Sequence, residues 1–418
     1  MTDSGSRWQC VYNLPAVKPP VRKLRFFNLD LHISVIADLK YIFEYLGHEV
    51  VDWSISGHTW VFGRKRDPVE VVNQGTWLGL NQKMCDDFHS RYREVLDGFD
   101  AFIVTYNASF ALLYEKTGKP IIVDNPTRYE NPFTTSPEKW RWLNDYLARG
   151  VDSGRITIVS NNRGDEYYLR HFTGIASQVI PSLCLYTKAQ YRGRRDAFIL
   201  VSRIQPALLH RRTQRVVNWV TAIMPRMADR LFVYFQGKRQ PLIRSRFLNQ
   251  LLLNKTDALK DGFSWQSFYD FKGIIHIPYQ VSTMSIFEQY SANVPLFFPS
   301  KKFLFELHTQ FPDKVLSELS FYQVNRLDTS GLAPDDPNNL ANDEIVKRWI
   351  DLADYYDELN MPYVQYFDSF EHLESLLREV DCREISEKMR AFNQQRIDRV
   401  FRDWEKILTQ VASFTSPF

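Results

Sequence analysis

Short apolar runs alternate with amphipathic segments along this chain, and no other feature restricts the fold as much. Three of the runs lie in "FDAFIVTYN", in "KPIIVDNP" and at Ile156–Ser160. A strand that is apolar on both faces is typical of a parallel sheet covered by helices on both sides. The alternation therefore predicts an α/β fold with mainly parallel sheets.

The first series begins with "KLRFFNLDLHISVIADLKYIFEYLGHEVVDW", residues 23–53. Its pattern predicts a strand, a helix that ends at Gly47, and a second strand. A helix over "ASFALLYEKTG" separates the next two strands, and a helix from about Arg163 precedes a strand at Val179 and Ile180. This series predicts one doubly wound, Rossmann-like domain.

A charged, apolar-poor stretch, "TKAQYRGRRD" at residues 187–196, interrupts the series and indicates a domain boundary. A second series follows it. The series comprises strands in "DAFILVSRI" and "RLFVYFQGK", a long helix around Arg212–Met227, and a strand-helix-strand unit over Gly273–Pro299. A second doubly wound domain is therefore expected.

The predicted organisation has three parts. Residues 1–20 form an arm, residues 21–190 the first domain, and residues 191–395 the second. Apolar residues at helical spacing over about 383–411 predict one long or broken helix. Its last part, from about residue 396 to residue 418, is expected to return to the first domain.

Composition excludes some classes of protein. The 418 residues include 52 Lys and Arg against 49 Asp and Glu, which gives a net charge of +3 and no bulk basic surface for nucleic acid. No apolar run is long enough to span a membrane, and "MTDSGSRWQC" lacks a signal-peptide pattern. The four isolated cysteines favour a reducing compartment. A cytoplasmic protein is expected, with peripheral membrane contact left open.

Several motifs that carry known chemistry are absent. The sequence has no phosphate loop of the type G-x-x-x-x-G-K-[ST], no G-x-G-x-x-G, no H-E-x-x-H and no G-x-S-x-G. These absences disfavour a simple kinase, an NAD enzyme, a zinc protease and an α/β-hydrolase. No metal-binding motif follows a predicted strand, so neither a metal nor another cofactor is expected.

The loop "QVSTMS" and the helix "IFEQYSAN" form the first candidate site. The helix N-terminus over Ser282, Thr283, Met284 and Ser285 offers N–H groups and a partial positive charge to a diphosphate, with Ser282 or Thr283 as N-cap. Glu288 lies further along the helix, where its carboxylate could accept hydrogen bonds from two ribose hydroxyls. A glutamate on a solvated helix face is the alternative.

Basic residues follow the neighbouring strands of the second domain. Arg203 comes just after its strand, where an arginine can bind a pyrophosphate bidentately. Arg211 and Lys238 are further candidates, although both also suit a solvated basic face. Together these residues predict a donor site for an anionic ligand.

The first domain carries candidates of another kind. Asp30 and His32 follow its first strand, where a histidine near a carboxylate could position or deprotonate a hydroxyl. Four other residues of this domain are expected to contact a carbohydrate acceptor. They are His58, Trp60, Asp124 and Arg128.

In the second domain, "LVSRI", "FVYFQGK" and "QVSTMSIFEQYSANVPLFF" resemble the donor-domain motifs of GT-B glycosyltransferases of the retaining E-x7-E type. Glu288 aligns with the second glutamate of that motif, and Gln280 stands at the position of the first. Asn293 stands where the family has glycine. The resemblance implies two Rossmann-like domains and a last helix that crosses back to the first.

The resemblance also implies a function. The chain would transfer a hexosyl or pentosyl unit from a UDP- or GDP-linked sugar to a hydroxyl of a glycan or other acceptor, without a metal. Because Gln280 replaces an acid, the stereochemical outcome stays open. Two alternatives also remain: a nucleotide-sugar epimerase of similar architecture, and an inactive GT-B-like binding subunit.

Overall fold

A computed structural model describes residues 12–203, 231–234 and 264–415. Contacts between Cα atoms divide the chain into two compact units. Unit 1 comprises Met1–Tyr186 and Gln394–Phe418, and unit 2 comprises Thr187–Asn393. The stretch 187–196, which the sequence indicates as a boundary, begins where unit 2 begins.

Unit 1 contains a six-stranded sheet in which every strand pair is parallel, with the order β2-β1-β3-β4-β5-β6. The strands are β1 (Arg25–Asp30), β2 (Glu49–Ser54), β3 (Ala101–Thr105), β4 (Ile121–Asn125), β5 (Ile156–Ser160) and β6 (Gln178–Val179). The helices are α1 (Ile33–Tyr45), α2 (Gln82–Asp97), α3 (Pro137–Asp152) and α4 (Arg163–Thr173).

Local sequence explains several of these boundaries. Gly47 follows α1 with φ of +92°, a backbone conformation that glycine adopts without a steric penalty. Asn162 precedes α4, and its side chain accepts a hydrogen bond from the Asp165 N–H. The segment predicted as a helix before β4 forms a 3₁₀ helix, Ala108–Thr117, which ends at Gly118.

The core of unit 1 includes the C-terminal part of the chain. The last helix, α11, spans Cys382–Phe414 without a break, and its residues from Gln394 onward belong to unit 1. Trp404 packs edge-on against Phe43 of α1, with ring centroids 5.2 Å apart, and Phe401 packs in the same way on Tyr45 at 5.3 Å. Aromatic pairs of this kind stabilise a core beyond their buried area.

Unit 2 contains a five-stranded parallel sheet in the order β11-β10-β9-β7-β8. Its strands are β7 (Arg195–Ser202), β8 (Leu231–Tyr234), β9 (Phe271–Ile277), β10 (Leu296–Pro299) and β11 (Gln365–Phe367). Its described helices before α11 are α5 (Trp265–Tyr269), α6 (Met284–Ser291), α7 (Lys301–Gln310), α8 (Phe321–Val324), α9 (Asp343–Asp351) and α10 (Phe370–Glu379).

The predicted fold class is confirmed. Each unit is built on a parallel sheet whose first strand lies inside the sheet, with later strands added on both sides, and this order defines a doubly wound sheet. The last helix joins unit 1, as the GT-B resemblance implies. The long helix expected around Arg212–Met227 lies outside the described residues.

The turn after α6 explains one departure from the GT-B motif. Asn293 follows the last turn of that helix with φ of +62°, in the left-handed region. Asparagine tolerates this region better than other residues with a Cβ atom. Asn293 can therefore hold this left-handed conformation without glycine, which the related motif has at this position.

Candidate functional site

Unit 1 has a topological switch point at the carboxyl ends of β1 and β3. The chain passes from β1 to β2 on one side and then adds β3 on the other, so the connections diverge at this point. Ligands of open α/β sheets bind at such switch points. His32 follows β1, His58 follows β2 and Tyr106 follows β3. The His32 ring stacks on the Tyr106 ring with centroids 5.4 Å apart. The His58 ring centroid lies 6.4 Å from that of His32.

Asp30 is the last residue of β1 and is fully buried. Neither of its carboxylate oxygens has a partner within hydrogen-bonding geometry in the described structure. Burial raises the pKa of Asp30 to about 7, against a smaller lowering by the Ser54 side chain. Near neutral pH this carboxyl group can therefore both donate and accept a proton.

His32 is the N-cap residue of α1, but its side chain makes no capping hydrogen bond. Burial, together with the nearby His58, lowers the pKa of His32 to about 4. Its Nδ1 atom is buried and has no hydrogen-bond partner among the described residues. The structure thus brings Asp30 and His32 to the same sheet edge without a hydrogen bond from Asp30 to Nδ1.

His58 and Trp60 lie on the surface of unit 1. His58 precedes the 3₁₀ helix Thr59–Phe62 and is exposed, and Trp60 lies within that helix with 61% of its surface exposed. An exposed indole ring offers a flat apolar face to a ligand. These two residues are the accessible members of the predicted acceptor contacts.

Asp124 and Arg128 lie much deeper. Asp124 is buried at the end of β4, where burial and the nearby Asp38 carboxyl raise its pKa well above the usual range. Arg128 is only 2% exposed, and its Nη1 atom lies 3.3 Å from Oδ1 of Asp165. The structure therefore separates the four predicted acceptor contacts into two exposed and two buried residues.

The same sheet edge contains polar residues that sequence reasoning did not select. Asn28 Oδ1 and Asn107 Nδ2 are buried without a hydrogen-bond partner in the described part of the chain. Asn107 Oδ1 accepts a long hydrogen bond from Asn131 Nδ2 at 3.4 Å. Buried polar groups without a partner are uncommon in folded proteins. Asn28 lies within β1 and Asn107 follows β3, so only their position in or after an apolar strand could have drawn attention to them.

Unit 2 has its own switch point, between β7 and β9. The chain adds β8 on one side of β7 and β9 on the other. Arg203 follows β7 directly, and Tyr279 and Gln280 lie in the turn after β9. The Cζ atom of Arg203 lies 3.5 Å from the centroid of the Tyr279 ring, a cation–π contact.

A carboxylate from a later loop joins this group. Glu318 Oε1 forms an ion pair with Arg203 Nη1, and Glu318 Oε2 accepts a hydrogen bond from Gln280 Nε2 at 2.9 Å. The side chains of Arg203 and Glu318 are 38% and 30% exposed, so solvent reaches both. Gln280 replaces an acid of the related motif, and it lies beside the Glu318 carboxylate.

Glu288 is half-buried in the middle of α6. Its Oε2 atom accepts a hydrogen bond from the indole Nε1 of Trp265 at 3.0 Å. Trp265 begins α5, whose N-cap is Ser264. Glu288 is therefore held by a specific donor and is not a fully solvated surface residue.

The start of α6 has the expected polar composition. Thr283 is the N-cap residue, and its side chain makes no capping hydrogen bond but lies 3.0 Å from the Ser285 hydroxyl. Ser282 and Met284 are buried, and Ser285 is exposed. A helix start without a side-chain cap retains N–H groups that can donate hydrogen bonds to an anion.

Two predicted donor contacts, Arg211 and Lys238, lie outside the described residues. Within the ranges that the structure describes, no group of three or more His, Cys, Asp or Glu side chains is arranged to hold a metal ion. None of the helices described combines the length and apolar character needed to cross a membrane.

Comparison with known proteins gives only distant structural likenesses. No protein-family model and no curated protein matches the chain. Solved structures that match include the glycotransferase of kitacinnamycin (11% identity, 95% of this chain and 100% of that one, TM-score 0.41). They also include CalG4, the calicheamicin glycosyltransferase (12%, 94% and 99%, 0.38), and S. aureus MnaA in its UDP co-structure (12%, 86% and 98%, 0.41). The fold class of this chain is shown by the strand order of its two sheets.

Proposed function

We propose that this protein is a glycosyltransferase that moves a sugar from a nucleotide-diphosphate donor to a hydroxyl of a glycan or other acceptor. The observation that carries the proposal is the arrangement at the switch point of unit 2. Arg203 follows β7, Gln280 lies in the turn after β9, and α6 begins at Met284. A cation and a helix start at a switch point suit a diphosphate.

Glu288 would bind the nucleoside part of the donor. Its carboxylate can accept hydrogen bonds from the two vicinal hydroxyls of a ribose. The hydrogen bond from Trp265 at 3.0 Å fixes the orientation of this carboxylate, which lowers the entropic cost of binding. A UDP- or GDP-linked sugar is the expected donor class.

Protein charges would stabilise the leaving diphosphate. Arg203 offers a planar guanidinium, the N–H groups from Ser282 to Ser285 add the positive end of the helix dipole, and Arg211 and Lys238 are proposed to assist. Since charge on the diphosphate grows as the sugar leaves, these groups bind the transition state more tightly than the ground state. No metal ion is required in this scheme.

Unit 1 would supply the acceptor chemistry. His32 is neutral at physiological pH because its pKa is lowered to about 4, so it can accept a hydrogen bond or a proton from a hydroxyl. Asp30, with its pKa raised to about 7, is the second candidate base. His58 and Trp60 would contact the acceptor directly, and the buried Asp124 and Arg128 would take part from a deeper position.

A nucleotide panel tests the proposal. Thermal unfolding is measured with UDP, GDP, ADP, CMP and TDP at concentrations near one hundred times the dissociation constant, where binding adds about 2.7 kcal/mol. A shift of about 5 °C or more is expected for the correct nucleotide. Glu288→Ala should abolish it, and Glu306→Ala, on α7, should not. If no nucleotide stabilises the wild type, the proposed function is wrong.

A further inference from the structure

The ion pair between Arg203 and Glu318 places a negative charge beside the cation that would bind the proposed ligand. The cation that would bind the diphosphate already contacts a carboxylate of its own unit. A guanidinium has two edges that can donate hydrogen bonds, so one edge can engage Glu318 while the other engages a phosphate. An anion bound by Arg203 would then lie only a few ångströms from the Glu318 carboxylate.

The position of Glu318 is fixed by the backbone. Its N–H donates to the Tyr279 carbonyl at 3.1 Å, and the Leu316 N–H donates to the Pro278 carbonyl at 3.0 Å. Both carbonyls belong to the turn that follows β9. The loop that carries Glu318 is therefore attached to the same turn that carries Gln280, and the ion pair is more than a chance contact of two flexible side chains.

The chemistry of the donor and its product gives this carboxylate a role. In a nucleotide-diphosphate sugar each phosphate has one ester link and shares the anhydride link, and each carries one negative charge. When the sugar leaves, the terminal phosphate keeps only its anhydride link to the inner phosphate, and like a phosphate monoester it loses a second proton near a pH of about 6. At physiological pH the product therefore carries more negative charge than the donor, and the added charge lies at the end from which the sugar has left.

We propose that Glu318 makes this site prefer the sugar-linked diphosphate over the free diphosphate, and that it thereby favours product release. The inference rests on the proposed function. Arg203 attracts both the sugar-linked and the free diphosphate. The additional negative charge that Glu318 repels is present only in the free diphosphate. One unit charge near a carboxylate that is partly exposed changes the affinity by about fivefold.

Binding measurements with matched ligand pairs test the proposal. Dissociation constants for UDP and UDP-glucose, and for GDP and GDP-mannose, are measured calorimetrically at pH 8 with wild type and Glu318→Gln. The ratio of the constant for the free diphosphate to that for its sugar ester should fall about fivefold in the variant. At pH 5, where the terminal phosphate keeps its second proton, the two proteins should show nearly equal ratios.

Three further variants distinguish this charge effect from a structural one. Glu318→Asp keeps the charge and should keep most of the preference, and Glu318→Ala should reproduce Glu318→Gln. Glu306→Gln removes a charge elsewhere in unit 2 and should leave the ratio unchanged. If wild type binds the ligands and Glu318→Gln leaves the ratio unaltered, the inference is wrong while the proposed function stands. If neither ligand of either pair binds wild type, the UDP- or GDP-linked donor class of the proposed function is wrong, and this inference fails with it.

Discussion

Replacing Asp30 by asparagine should change how the stability of unit 1 depends on pH. Asp30 is fully buried, and burial raises its pKa from 3.8 to about 7. A carboxyl whose pKa is raised in the folded state binds a proton more tightly when folded than when unfolded. Its contribution to stability is therefore present at low pH and is lost as the pH rises through this interval. Asparagine has nearly the same shape and does not titrate.

The size of the effect follows from the two pKa values. Each pKa unit corresponds to about 1.36 kcal/mol, so ionisation of Asp30 lowers the free energy of unfolding by about 4 kcal/mol in total. Between pH 5 and pH 8 the loss is about 2.5 kcal/mol. Other titrating groups are shared by the two proteins and cancel in their difference. Asp30→Asn should therefore gain about 2.5 kcal/mol relative to the wild type over this interval.

Urea unfolding at pH 5, 6, 7 and 8 measures this difference. Circular dichroism follows the transition, and peptide-resolved hydrogen exchange assigns it to unit 1, because a protein with two units need not unfold in one step. Asp145→Asn makes the same chemical change on the exposed side of α3 and should follow the wild type. If the difference between Asp30→Asn and the wild type is the same at all four pH values, the account of this buried carboxyl is refuted.

Variants at two further positions test the turn after α6 and the proposed base. Asn293→Ala should be less stable to urea than Asn293→Gly by about 1 kcal/mol, because φ at this position is +62°; equal stability would contradict the backbone argument. His32→Gln should lower the transfer rate by about a hundredfold or more without weakening nucleotide binding. Because the pKa of His32 is about 4, the wild-type transfer rate should stay constant between pH 8 and pH 6. A transfer rate that falls as the pH drops below 7 would assign the base to Asp30, whose pKa is about 7.

Much of the fold follows from the sequence because its central strands are apolar on both faces. The strand predicted at Ile156–Ser160 has those bounds in the structure, and α4 begins at Arg163 as expected. The prediction missed α2, since only Cys85, Phe88 and Leu96 of its sixteen residues are buried and the apolar stripe is therefore sparse. It also missed β11, which has three residues and too little sequence for any periodicity.

The site was less predictable, because its contacts join residues that are distant in sequence. Position after a strand was enough to select Arg203, since parallel strands bring their carboxyl ends to one edge. Glu318 lies 115 residues further along the chain, and nothing in its local sequence indicates that it pairs with Arg203. Trp265 likewise reaches Glu288 only through the tertiary fold. Burial of Asp30 could be expected at the end of an apolar strand, but its lack of a hydrogen-bond partner could not.

Hydrogen exchange with and without nucleotide tests the central claim most directly. The claim is that a nucleoside diphosphate binds at the switch point of unit 2, against the start of α6 and Glu288. With saturating UDP or GDP, exchange should slow in peptides that cover residues 279–290, and the Glu288→Ala variant should not show this protection. Nucleotide binding that leaves these peptides unprotected, or that protects only peptides of unit 1, would contradict the account.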